Sequence, residues 1–228
     1  MASTLEQSLG TVLQRELPGF QSLQSCEQLT AGASQETYRL TLQTDDGTRH
    51  LALRRMQPNL SQASSVGTIL PDTEARLFQL ATAAGIPGPG VVYVLQPSDA
   101  LGNGFLMDWL QGETLGQRVV RSEALAEVRP RLARQCGEIL GRIHNLDWRS
   151  AGLDEVLPTV APATLVDDTW ANYRDLNVPV PMIDFAWRWL RDHLPEQPRT
   201  TLVHGDFRNG NLMVAPDGIN AVLDWELA

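Results

Sequence analysis

The sequence predicts an α+β fold in two parts: an antiparallel sheet with helices beside it, then a mainly helical region that closes on a β-hairpin. Three observations predict it. Short β-prone runs alternate with turn residues between positions 23 and 53, and again between 91 and 109. Leu132, Cys136, Ile139, Leu140, Ile143 and Leu146 recur at helical spacing. Near the C-terminus, Leu212-Met213-Val214-Ala215 and the run at 219–223 flank Pro216-Asp217-Gly218, a turn that folds one run onto the other.

From the N-terminus, Leu5, Leu9, Val12, Leu13 and Leu17 follow helical spacing up to Pro18-Gly19, with Ser3 and Glu6 spaced as a capping box. This helix is amphipathic. It lacks the unbroken apolar run of a signal peptide, and its glutamates argue against a transit peptide. Three strands follow, one ending near Thr30, one over 37–42 and one over 50–54, with turns at 30–34 and at Asp45-Asp46-Gly47. A polar loop at 57–69 leads to Pro71, which opens a helix carrying Leu77, Phe78, Leu80, Ala81 and Ala84 and ending at Gly85. After Ile86-Pro87-Gly88-Pro89, residues 91–95 and 104–109 read as two more strands.

The second part begins near Gly112, and the helix at 132–146 is its core. His144 on that helix reads as a structural histidine, because nothing near it in sequence offers a nucleophile or a metal partner. The proline-rich stretch at 149–198 holds two helices, near 167–176 and 182–194. Asp167, Asp168 and Asp175 read as a solvated helix face before a cation site, and Trp170 and Tyr173 fit a core equally well.

Composition bounds the partners. The chain has 228 residues, 43% hydrophobic, enough for one large domain or two small ones. A net charge of -9 with no lysine argues against nucleic acid or anionic membrane as the main partner, since both need clustered positive charge. No run approaches the ~20 apolar residues of a membrane span. Cys26 and Cys136 stand alone, so neither a zinc site nor a disulfide framework is indicated, and a reducing cytoplasm is the expected compartment.

The chemistry lies in the last quarter. His204-Gly205-Asp206 is followed by Asn211 and then by Asp224. Phosphoryl transfer needs a carboxylate to orient and deprotonate a hydroxyl, plus oxygen ligands for Mg²⁺. Asp206 fits the base, and the predicted hairpin carries Asn211 at its entry and Asp224 at its exit, where the two fit metal ligands. Taken singly, each has a plain reading as a turn cap, a loop residue or a strand end. Three in order around one hairpin point to the site.

HGDFRNGNLMV followed by AVLDWELA resembles the aminoglycoside phosphotransferase and choline kinase superfamily, closest to the branch related to kinase-like domains found beside acyl-CoA dehydrogenases. LALRRMQP, EARLFQLATAAGIPGPGV, FLMDWLQGETL and EILGRIHNLD extend the resemblance over nearly the whole chain. It implies a bilobal protein-kinase-like fold, with 1–110 as a nucleotide-binding lobe and 111–228 as part of a catalytic lobe. It implies ATP or GTP with Mg²⁺ as cofactors and a small-molecule hydroxyl as acceptor.

The resemblance also assigns residues. Gly32 and Ser34 fall in the phosphate-covering loop, although Gly32 alone survives of the usual glycine pattern and a lone glycine otherwise marks a turn. Arg54 stands where kinases keep a phosphate-holding lysine, two residues after Ala52 on one strand face; a guanidinium grips phosphate bidentately but is longer and planar. Read by itself, Arg54 is equally a surface residue or a carboxylate's partner. Glu74 would orient Arg54, or it serves the helix dipole from the first turns. Met107, Asp108 and Trp109 fall in the linker that holds adenine, and Arg208 falls where a cation neutralises the transferring phosphoryl group. Glu226 would support the metal shell from the strand face of Asp224.

The implied function is transfer of the γ-phosphoryl of ATP or GTP to a small-molecule hydroxyl, with Asp206 as base. Two rivals use the same residues. A noncatalytic, nucleotide-binding pseudokinase is permitted by the missing lysine and the reduced glycine loop, and disfavoured by the intact Asp206, Asn211 and Asp224. A metal-dependent hydrolase would use the same oxygen ligands with water as nucleophile. Members of the superfamily continue past the DWE motif with several helices, so this chain is expected to lack the end of its second lobe. It is then expected to expose an apolar patch there and to be weakly active or inactive. The residues do not select among aminoglycoside, choline-like, sugar or hydroxyacyl acceptors, and they do not set an oligomeric state.

Overall fold

Strict alternation of side chains builds the sheet. In β2 (Gln35–Thr44), Glu36, Tyr38, Leu40, Leu42 and Thr44 are buried on one face while Gln35, Thr37, Arg39 and Thr41 line the other. The computed structural model describes residues 4–31, 35–56 and 68–228. The expected cap at Ser3, the loop residues Gly32 and Ser34, and most of the 57–69 loop lie outside them. The chain divides into two units, one of Met1–Leu153 with Leu202–Ala228 and one of Asp154–Thr201.

In the first unit, β1 (Phe20–Ala31), β2, β3 (Gly47–Met56), β4 (Val91–Val94) and β5 (Gly104–Asp108) form one antiparallel sheet in the order β1-β2-β3-β5-β4. The first strands run longer than their apolar content predicts, because Thr44 pairs with Gly47 around a two-residue turn and the ladder continues to its tip. α1 (Thr4–Glu16) lays Leu9, Val12 and Leu13 on Leu40, Leu42, Leu51, Leu53 and Leu106, as its periodicity predicts. Each such leucine, fully buried, contributes about 1.5–3 kcal/mol. Arg15 fastens the end of α1 to the far strand through Tyr93 Oη and Asp99 Oδ1, both at 2.8 Å. Burial works against the Asp99 carboxylate, but Arg15 and the Gln96 amide outweigh it and hold its pKa below the usual range.

The opposite sheet face receives α2 (Pro71–Ala83), with Pro71 in its first turn and Phe78 against Phe105 at 5.9 Å. Gly85, at φ 74°, ends it in a Schellman turn: the Gly85 and Ile86 N–H groups reach Thr82 O at 3.0 Å and Ala81 O at 2.9 Å. Next come α3 (Gly116–Arg121) and α4 (Arg129–Ile143), then the hairpin of β6 (Leu212–Ala215) and β7 (Gly218–Val222). α3 is too short to show a period in sequence. α4 buries Ile139 and Ile143, and its Gln135 Oε1 accepts from the Ile219 N–H at 3.2 Å, fixing the hairpin turn. Glu113 and Val214 exchange backbone hydrogen bonds of 2.8 and 2.9 Å, which holds the other side of the hairpin.

The second unit holds α5 (Pro162–Asp175) and α6 (Pro181–Asp192). α5 starts at Pro162, five residues before the sequence expectation of 167, because proline is tolerated in a first turn where its missing N–H has no partner to lose. Trp170 stacks on Trp187 at 4.5 Å and 13°, and the Val180 N–H donates to Tyr173 Oη at 2.6 Å. Asp167 pairs with Arg191 at 3.0 Å, so part of the acidic face is used within the helix pair. Met182, Phe185 and Trp189 stand 71%, 64% and 51% exposed along α6. Among the described residues, no helix is long and apolar enough to cross a membrane.

Candidate active site

The segment before the hairpin is shaped by a histidine. His204 is buried, its Nε2 lies 3.0 Å from Leu223 O, and the Asp206 N–H points to its Nδ1 at 3.3 Å. A carbonyl only accepts and an amide N–H only donates, so these partners select the neutral tautomer protonated on Nε2. Burial, acting against the charged form, lowers the His204 pKa in spite of the Leu223 carbonyl. The ring also packs on Trp225 at 4.7 Å. His204 thus ties the backbone of Asp206 to the residue before Asp224. Gly205 makes the bend at φ 79°, and a Cβ there would lie 2.1 Å from Leu227 O, so only glycine fits.

Asp206 is held by two donors. Asn211 Nδ2 reaches its Oδ2 at 2.8 Å and its backbone O at 3.0 Å, while Arg208 Nε lies 2.9 Å from both carboxylate oxygens. Asn211 spends its amide nitrogen on Asp206, which leaves the Asn211 Oδ1 as an acceptor. The Leu223 N–H donates to Asn211 O at 2.8 Å, so the hairpin does bring the bases of Asn211 and Asp224 together.

Arg54 is the second centre. Its Nε–H donates to Gln35 Oε1 at 2.6 Å and lies 2.9 Å from Glu74 Oε2; its Nη2 contacts Asp224 Oδ1 and, at 3.2 Å, Glu226 Oε2. Because Nε–H points at Gln35, the contact with Glu74 is an ion pair without an aligned hydrogen bond. Glu74 Oε1 instead accepts the Trp225 N–H at 3.1 Å. Burial pushes the Glu74 carboxyl up to about 7, against the pull of Arg54. Burial also opposes the Arg54 charge, but Glu74 first and then Asp224 outweigh it and raise its pKa. The Glu226 carboxyl is likewise raised, by burial and then by Asp224.

One expected detail is corrected. Asp224 and Glu226 do not share a strand face: β7 ends at Val222 and Asp224 takes φ 66°, so a turn rather than strand alternation brings Glu226 to Arg54. Sequence reasoning also missed Gln35, which accepts from Arg54 and donates to Glu226 Oε2 at 3.2 Å. Its only signal was its place on the Arg54 face of β2, two residues from Thr37, which pairs with Arg54.

In the segment expected as the linker, Met107 pairs with Ala52 and shares its sheet face, and Trp109 follows β5. The Asp108 side chain turns the other way, to Arg49 at 2.9 Å, and its N–H donates to Gly90 O at 2.9 Å.

Three carboxylates surround one guanidinium, an excess of negative charge that suits a further cation. Among the described residues, no three His, Cys, Asp or Glu side chains form a closed metal cage. Asp224, Glu226 and the Asn211 amide offer hard oxygen donors, and Asp224 and Glu226 are each 32% exposed at the side chain. That donor set fits Mg²⁺, which keeps waters and phosphate oxygens and takes few ligands from protein.

The phosphotransferase enzyme family model matches residues 25–228. Acyl-CoA dehydrogenase family member 10 of Mus musculus is 32% identical over 217 residues, covering 88% of this chain and 18% of that protein. A candidate aminoglycoside phosphotransferase from Ralstonia eutropha JMP134 superposes with a TM-score of 0.74 at 22% identity, over 97% of this chain and 64% of that one. Spectinomycin phosphotransferase, solved with ADP and spectinomycin, gives a TM-score of 0.61 at 11% identity over 96% of this chain and 68% of that one. The chain is therefore shorter than each of these relatives. The fold is the α+β, kinase-like fold of the aminoglycoside phosphotransferases.

Proposed function

This chain belongs to the phosphotransferase enzyme family, and we propose that it moves the γ-phosphoryl of ATP or GTP to the hydroxyl of a small molecule, with Asp206 as general base. The observation that carries this reading is the link made by His204, which joins Asp206 to the Asp224 segment through hydrogen bonds of 3.3 and 3.0 Å. Asp206 and the carboxylates around Asp224 are thereby held in one frame, as this reading requires. In this reading 1–110 is the nucleotide-binding lobe, with Gly32 and Ser34 in the phosphate loop and Met107 and Trp109 at the base, and the compartment is cytoplasmic.

Asp206 orients the acceptor hydroxyl and takes its proton as the new O–P bond forms and the bond to the β-phosphate oxygen breaks. Arg208 begins on the Asp206 carboxylate and neutralises charge on the transferring group. Asn211 and Asp224 would hold Mg²⁺, which would offset phosphate charge during transfer. Arg54, positioned by Glu74 and Gln35, presents its outer nitrogen to the same region. Glu226 lies beside Asp224 and strengthens the negative field.

One observation favours a second reading. Arg54 occupies Asp224 and Arg208 covers both oxygens of Asp206, as suits a noncatalytic nucleotide-binding module. ADP release with ATP and MgCl₂ decides between them, measured across amino sugars, choline, sugars and hydroxyacyl compounds. Acceptor-dependent ADP with a phosphorylated product supports the kinase; free phosphate without phosphorylated acceptor supports a hydrolase. Nucleotide at ~100 times its Kd adds about 2.7 kcal/mol of stability, and that stabilisation without turnover on any acceptor supports the module. No stabilisation at all sinks the nucleotide reading.

A further inference from the structure

Arg39 stands apart from the site residues named so far. It lies on β2 opposite Ala52 of β3, and Ala52 lies opposite Met107 of β5, so the three form a row across the sheet on the face that also carries Arg54. Its guanidinium rests over Trp109, with Cζ 5.0 Å from the ring centroid. Arg15, Arg49, Arg54 and Arg55 each reach a carboxylate in this unit. Arg39 Nε, by contrast, is buried and has no hydrogen-bond partner among the described residues. An unmet buried donor is costly, and in native structures it marks a missing partner or a functional constraint.

Position says what the partner is. The row of Arg39 lies two residues along the strands from the row of Thr37 and Arg54, roughly 6.6–6.8 Å toward the linker. If Arg54 marks the phosphates, Arg39 marks the sugar and base. With Trp109 against one face of the guanidinium and Nε buried beneath it, a ligand meets the half-buried Arg39 through its terminal nitrogens, a planar fork that suits ring nitrogens and hydroxyl oxygens. We propose that Arg39, seated on Trp109, is a nucleotide-binding residue that donates to the nucleoside portion of the bound nucleoside triphosphate. This rests on the kinase reading and adds to it a specific contact at the linker.

The test is titration calorimetry on the full chain with ATP and MgCl₂, and separately with inorganic tripolyphosphate, for the wild type, Arg39→Met and Arg39→Lys. Met keeps an unbranched stem over Trp109 and removes the donors. Loss of a charged donor is expected to raise the ATP Kd on the order of tenfold and to leave tripolyphosphate unchanged. Lys, a point charge without the fork, is expected to recover little of it. ATP binding equal to wild type in both variants overturns the proposal, and so does an equal loss for tripolyphosphate, which would assign Arg39 to the phosphates. A melting curve on each free protein guards the comparison; if the Met variant does not fold, the Lys variant decides by the same two titrations. A wild type that binds no ATP overturns the kinase reading itself, before any substitution is compared.

Discussion

Arg54→Met removes one guanidinium from beneath three carboxylates, and the structure sets the size of the effect. Asp224 and Glu226 are each 32% exposed at the side chain and can turn to water, whereas Glu74 is 0% exposed and cannot. The loss is therefore mainly that of an unpaired buried carboxylate, for which removal of one partner costs about 3–5 kcal/mol. A proton can relieve it. The Glu74 carboxyl, at about 7 with Arg54 present, rises further without it, so the variant binds a proton that the unfolded chain, with an ordinary carboxyl, releases. A raised folded-state pKa gives stability that is full below the unfolded value and is lost as pH rises through the folded one. The variant should therefore lose about 3 kcal/mol at pH 8 and about 1–2 kcal/mol at pH 5.5, where mainly hydrogen bonds are missing. Urea unfolding at the two pH values measures both. In melting, the pH 8 loss corresponds to roughly 6–12 °C in Tm. Arg54→Met combined with Glu74→Gln should recover most of it. A loss equal at pH 8 and pH 5.5, or no rescue by Gln, would refute the assignment of the cost to Glu74.

Asp206→Asn keeps the shape that Asn211 and Arg208 hold and removes the base, so kcat should fall by about 10²–10⁴ with the ATP Kd unchanged; comparable kcat would remove Asp206 from the mechanism. Arg208→Ala should lower kcat far more than it weakens nucleotide binding, and steady-state kinetics beside calorimetry would expose the reverse pattern. Gly205→Ala forces a Cβ to within 2.1 Å of Leu227 O at φ 79°, and a loss of more than about 2 kcal/mol is expected in chemical denaturation. Asp99→Asn bears on acid stability. The lowered Asp99 pKa gives stability present above the unfolded carboxylate value and lost as pH falls through the folded one, so the variant should show a flatter decline below about pH 4, and an unchanged acid limb would count against the Arg15 contact.

Most of the frame was legible because it is written in periodicity and turn residues. The apolar spacing of Leu9, Val12 and Leu13, the proline opening α2 and the Pro216-Asp217-Gly218 turn are local signals, and each element formed where they point. The start of α5 was legible but missed: Pro162 is a helix-opening residue, and Leu165, Val166 and Trp170 keep a helical period that a start at 167 overlooks. In the site, Asp206, Asn211 and Asp224 could be read from order and spacing. Of the partners of Arg54, Glu74 was expected and does pair with it; Asp224 and Glu226, 170 and 172 residues along the chain, could not be read as its partners, because only the closing of the sheet on the 224–226 turn brings them to the guanidinium. Asp224 at φ 66° is also invisible in sequence, since the residue type does not announce a left-handed backbone.

The resemblance puts Arg54 where kinases keep a lysine, and that network accounts for an arginine at this position. A lysine ammonium is a compact point charge with three donors on one atom, suited to one carboxylate and a phosphate. Here the cation must serve Gln35 and Glu74 through Nε and Asp224 and Glu226 through Nη2, two ends of a rigid plane. β3, α2 and the segment after β7 are all fastened by that plane, and Trp225 adds a second link from the same segment to Glu74. The guanidinium is therefore structural first, and in the kinase reading its phosphate role uses Nη2, the nitrogen that Asp224 now holds. An Arg54→Lys variant separates the two duties: stability should fall because the Gln35 and Glu226 contacts cannot both be kept. If nucleotide binding falls as far as in Arg54→Met, the phosphate duty belongs to arginine geometry rather than to charge.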